Sequence, residues 1–87
     1  MKAALKKYVK ERDEMLKKCS VAELRKFVNE HKHLYSKEYI EAFNNASDEV
    51  LEVTLHKMIV NVLNLPTDLR RASALWLVTH GFRLDIN

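Results

Sequence analysis

Residues 47–81, SDEVLEVTLHKMIVNVLNLPTDLRRASALWLVTHG, decide the fold class. Two apolar helical repeats meet there at a single proline. Ser47 precedes Asp48 and Glu49, an N-cap followed by acids set against the positive end of a helix dipole. Leu51, Leu55, Met58, Ile59, Val62 and Leu65 recur at helical spacing as a wide band, and Val53 with Val60 form a second band. A helix apolar on two sides belongs in the middle of a bundle. Pro66 stops it, because proline has no amide to donate and its ring clashes with the preceding turn. Thr67 then offers an N-cap with Asp68 in the first turn, and the next helix runs to Gly81, a residue suited to a left-handed C-cap. Leu69, Ala72, Leu75, Trp76, Leu77 and Val78 predict that this last helix is nearly as buried as the fourth, with Trp76 packed near Leu65 and Leu69.

The upstream half carries the same grammar. Leu5, Tyr8, Val9, Leu16 and Cys19 share a stripe that predicts a first helix over 2–18, with Arg12 in the middle of the stripe. An arginine there either lays its stem along the core or pairs with a carboxylate of the acidic second half. Ser20 and Glu23 have capping-box spacing, and Cys19 with Leu24 is placed for a hydrophobic staple. The following helix, expected over 21–34, puts Leu24, Phe27, Val28, His31 and Leu34 on one face. His31 is therefore expected as a core histidine with one hydrogen-bond partner. Ser36 caps a short helix over 37–45, in which Ile40 and Phe43 point inward. Asn44 and Asn45 end it by favouring local backbone bonds. The expectation is an all-α protein, one domain spanning 1–87, with helices at 2–18, 21–34, 37–45, 48–64 and 68–80. A short tail over 82–87 is expected to be extended.

Composition agrees. The 87 residues include one Gly and one Pro, too few for a hairpin-rich fold, and 47% are hydrophobic, enough for a core. One cysteine excludes an internal disulfide and a cysteine-based zinc cage. No apolar run approaches the roughly 20 residues of a membrane span, and lysines interrupt the start too early for a signal peptide. A cytoplasmic protein without a membrane role is expected.

Function is less legible. A single glycine cannot build a phosphate loop, no nucleophile elbow is present, and His31, His33, His56 and His80 lack the i, i+4 spacing of a helical metal pair. On a continuous helix His31 and His33 would point about 200° apart. No catalytic residue, metal ligand or cofactor is assigned. The charge is uneven: residues 1–37 hold eleven Lys and Arg against five Asp and Glu, while residues 38–87 hold four against seven. Elimination and this asymmetry point to a small regulator or inhibitor that binds another protein through its basic first two helices, a role suited to a phage or mobile-element accessory protein. The candidate partner-binding residues are Lys6, Lys7, Lys10, Arg12, Lys17, Lys18, Arg25, Lys26 and Lys32. Interspersed Glu11, Asp13, Glu14, Glu23 and Glu30 suit a protein-facing surface better than a phosphate-binding stripe. The alternative is a DNA- or RNA-binding module that uses the same face, or Arg70 and Arg71 in the first turns of the last helix, where a helix-turn-helix unit reads bases. A homodimer stays open, since small helical domains often complete their core by association.

Overall fold

The three serines start their helices as the spacing requires. In the computed structural model, which describes residues 3–83, Ser20 Oγ accepts the Glu23 amide at 3.4 Å, Ser36 Oγ that of Tyr39 at 3.1 Å, and Ser47 Oγ that of Val50 at 3.3 Å. Each satisfies an amide that has no partner in the first turn. Glu23 does not complete the box; its carboxylate lies 3.6 Å from Lys18 Nζ. The described residues form α1 (Ala3–Lys17), α2 (Val21–Glu30), a 3₁₀ turn (Lys32–Leu34), α3 (Lys37–Asn45), α4 (Asp48–Asn61) and α5 (Thr67–Thr79), with no strand. The all-α bundle of five helices is the architecture read from the sequence.

Two helices end early, by the same device. The expected helix over 21–34 stops at Glu30 because the His31 ring takes the carbonyl that the His31 amide would have bonded. Its Nδ1 lies 2.8 Å from Phe27 O, while the amide shifts to Val28 O at 3.1 Å. The expected helix over 48–64 stops at Asn61. There Arg70 Nε and an Nη donate to Val60 O at 3.2 and 3.0 Å, so a guanidinium takes the carbonyl that the Asn64 amide would bond in a longer helix. Pro66 contributes from the other side, since the residue before proline avoids the helical region. α5 begins at Thr67 with Pro66 as its N-cap and no side-chain cap bond, one residue from the expected start.

The C-terminus of α5 follows expectation. Gly81 has φ +82°, its amide bonds Val78 O at 3.1 Å, and the Phe82 amide bonds Leu77 O at 2.8 Å. This double closure is the Schellman arrangement. The expected extended tail falls mostly on residues 84–87, outside the described residues, as does the helix start at residue 2.

α4 is the central helix. α1 and α2 pack on one side of it, α3 lies against α2, and α5 packs on α4. The main core joins Met15, Leu16, Leu24, Phe27, Val28, Phe43, Leu51, Leu55, Ile59 and Leu65. Val60 and Leu77 are buried outside that cluster, one on each of the paired helices α4 and α5. Here the sequence misleads. Of the apolar residues on α5 only Leu77 is fully buried, while Ala72, Leu75 and Val78 are exposed, because a helix with one neighbouring helix needs only one apolar stripe. Trp76 is half-buried and lies outside the core cluster. Its ring stacks between His56 (centroids 4.3 Å apart) and His80 (4.0 Å).

Candidate partner-binding surface

The break after Glu30 shapes the surface of the basic half. With the helix unwound at His31, the 3₁₀ turn swings Leu34 out of the apolar face on which its spacing placed it. Leu34 is 53% exposed and Leu5 of α1 51% exposed. Between them lies a notch of about 610 Å³, lined chiefly by Ala4, Leu5, Tyr8, His33, Leu34 and Tyr35, with Lys7 and Glu11 at its edge. The Tyr8 and Tyr35 hydroxyls meet at 3.1 Å and tie α1 to the segment after the 3₁₀ turn. Partial burial, then the bond to Tyr8, pushes the Tyr35 phenol well above its ordinary pKa.

His31 forms the back of the notch. Its Nε2 lies 3.3 Å from Glu11 Oε2, its ring packs 4.2 Å from Phe27, and Tyr8 meets it edge-on at 5.4 Å. It has two hydrogen-bond partners where one was expected. The same break overturns the expected divergence of the two histidines: the His33 ring lies roughly parallel to that of His31, with centroids 6.2 Å apart. Tyr35, Tyr39 and Phe43 continue the band as successive stacked pairs along α3.

The lysines named from the sequence are all exposed, in two settings. Lys7, Lys17 and Lys18 lie within 4.0 Å of Glu11, Glu14 and Glu23 respectively, whereas Lys6, Lys10, Lys26 and Lys32 form no ion pair among the described residues. Lys10, Lys18 and Lys26, with Glu14, Glu23 and Glu30, flank a second groove of about 530 Å³ between α1 and α2. Opposite charges alternate along it, so it presents no continuous positive field.

Arg12, Arg25 and Arg70 are engaged internally. Among the described residues Arg12 reaches no carboxylate of the second half; Nε and an Nη both bond Asp13 Oδ1, at 3.2 and 3.0 Å, and both side chains are largely covered. Arg25 grips Asp48 Oδ1 through two nitrogens and gives a third bond to Ala46 O at 2.8 Å, fastening α2 to the turn before α4. Arg70 closes the end of α4, while Arg71 is exposed on α5. In the basic half the lysines, not Arg12 or Arg25, are therefore the cations available to a partner.

The apolar notch was missing from the sequence reading, since Leu5 and Leu34 were assigned to buried stripes. Among the described residues no three His, Cys, Asp or Glu side chains gather as a metal site, and no helix is long and apolar enough to cross a membrane. No family model, curated protein or solved structure matches the chain.

Proposed function

We propose that this is a small cytoplasmic regulatory or inhibitory protein that binds another protein through its basic half, anchored in the notch between α1 and the 3₁₀ turn. One observation carries the reading. Two half-exposed leucines and two tyrosines line a concavity edged by Lys7 and Glu11, which is the anatomy of an interface with an apolar centre and a charged edge. Alternating charges on the neighbouring groove support a protein partner over a polyanion, whose phosphates would meet Glu14, Glu23 and Glu30 as well as the lysines.

The test is capture from a host lysate on immobilised protein, with and without nuclease, comparing wild type with Leu34→Asp and with Leu63→Asp. Both leucines are exposed, so neither change removes core packing. The expected result is a protein retained after nuclease by wild type and Leu63→Asp and lost by Leu34→Asp. Loss of every bound species on nuclease treatment would replace the reading with nucleic-acid binding. Equal capture by all three proteins would remove the notch as the anchor.

A further inference from the structure

We propose that the cluster of His56, Ser73, Trp76 and His80 is an acid-operated latch, in which a proton taken up by His56 opens α5 from α4 while the core of α1, α2 and α4 stays folded. The cluster shares no residue with the notch, so this reading and the partner-binding one stand or fall independently. The side of α5 turned to α4 holds few apolar groups. Ser73, Trp76, Leu77 and His80 fall within about 100° of one another around the helix. Ser73 and Leu77 are fully buried, Trp76 is half-buried and His80 is exposed. One aliphatic side chain therefore shares the contact with a hydroxyl, an indole and an imidazole. From α4 they meet His56, buried, with Nδ1 2.9 Å from Ser73 Oγ. Trp76 carries an imidazole on each face, with its plane inclined 22° to His56 and 16° to His80. His80 is fixed there by its Nδ1, 2.7 Å from Trp76 O.

A proton on His56 is disfavoured while α5 is closed. Burial opposes the imidazolium most, His80 beyond Trp76 repels it, and Glu52 favours it without reversing the balance, so the closed-state pKa lies below the ordinary value. Among the described residues, Glu52 on α4 and His80 at the end of α5 are the ionisable groups that act on the ring. Glu52 compensates poorly, because its carboxylate is 3.8 Å from Nε2 and 46% exposed, and water screens the pair. Cys19, which senses Glu52 from the turn after α1, adds no charge: burial and that carboxylate raise its thiol pKa. Opening α5 exposes His56 to water and carries His80 away, while Glu52 stays one turn back on the same helix. The open state therefore binds the proton more tightly, and acid shifts the population toward it. The latch is fully shut above the open-state pKa of about 6.5 and loosens as pH falls below it toward the closed-state value.

Amide exchange, read helix by helix from pH about 5 to about 8 and corrected for the intrinsic effect of pH on each amide, tests the latch. In wild type the protection of α5 relative to α1 and α2 should fall as pH drops below about 6.5, by up to about tenfold per pH unit, the limit for one proton bound on opening. His56→Gln, whose side-chain amide can still bond Ser73, should hold that ratio within about twofold over the same range. Glu52→Gln should enlarge the acid loss, because it removes the one group that favours the proton in the closed state, and His80→Gln should reduce it without abolishing it. Neither Glu52 nor His80 is buried, so these two variants carry the test even if His56→Gln folds poorly. A relative protection of α5 that ignores pH overturns the proposal, as does acid loss spread evenly over all helices. So does a wild-type fall in protection that persists in His56→Gln, or an acid loss that shrinks in Glu52→Gln.

Discussion

Cys19 is held where a side chain is a burden. Its φ of +49° places it in the left-handed region just beyond α1, where its amide closes the turn on Leu16 O at 3.0 Å. A residue with a Cβ loses about 1–2 kcal/mol there, and glycine loses about 0.5–1 kcal/mol more chain entropy than other residues on folding. The first effect wins. Cys19→Gly should stabilise by about 0.5–1 kcal/mol, raising the melting temperature by about 3–6 °C, and Cys19→Ala, which keeps the Cβ, should not. Thermal melts of the three proteins decide it; a gain from alanine equal to that from glycine would place the strain elsewhere. His56 is the second residue under constraint. It is buried between α4 and α5, with Nδ1 2.9 Å from Ser73 Oγ and Nε2 3.8 Å from Glu52. Burial lowers its pKa below the ordinary 6.5, His80 adds to the effect, and Glu52 opposes it. In mild acid the unfolded chain binds a proton that the folded one resists. Stability from this group is therefore complete above pH about 6.5 and is lost as pH falls toward the lower folded value. Denaturant melts of wild type and His56→Gln across pH about 5–8 should differ in slope, the variant being flatter at the acid end. Parallel curves would show that the histidine titrates alike in both states.

At the scale of helices, starts and stops differ in how openly the sequence declares them. The serine caps act on an amide three residues away, so the spacing of Ser20, Ser36 and Ser47 is enough to find them. Gly81 is legible because only its own backbone is involved. The ends of α2 and α4 depend instead on a side chain taking a carbonyl, and helical periodicity carries no mark of that. The misplacement of Leu34, and with it the missing notch, follows from the first of these. The misjudged burial of α5 has another cause: periodicity reports which residues are apolar but not how many neighbours will cover them. Arg70 makes the stop on α4 testable. Arg70→Ala removes two charge-assisted bonds to Val60 O and should cost about 1.5–3 kcal/mol, while Arg71→Ala, on the exposed side, should stay within about 0.5 kcal/mol. Arg70→Lys should recover only part, since an ammonium cannot fork as a guanidinium does. Chemical denaturation of the three variants gives the order, and equal losses at 70 and 71 would make the clamp unimportant.

Across the whole molecule, stability is divided by the way the helices are stacked. α1, α2 and α4 share the main core, and α3 is tied to α2 by paired amide bonds between Asn29 and Asn44 at 3.0 and 3.2 Å. α5 hangs on α4 through Leu77, the His56–Ser73 bond, the Arg70 clamp and the stack that places Trp76 between His56 and His80. Leu77 and the His56–Ser73 bond are buried, but the Arg70 clamp and the outer half of the Trp76 stack lie nearer solvent, where each contact stabilises less than a buried aliphatic one. α5, which fully buries one large apolar side chain, is expected to open as a sub-global unit before the core of α1, α2 and α4 gives way. The chain has a single tryptophan, and it sits at this junction, so its fluorescence reports α5 while far-ultraviolet circular dichroism reports every helix. In urea titrations the Trp76 transition should come at lower denaturant than the loss of helicity. Amide exchange should order the same way, with α5 the least protected helix of the pair it forms with α4. Ser73→Ala, which strips the partner from His56 Nδ1, should widen the gap by loosening α5 alone. Coincident fluorescence and dichroism curves in both proteins would mean that α5 unfolds together with the core it flanks, and that its hold on α4 is as strong as the core itself.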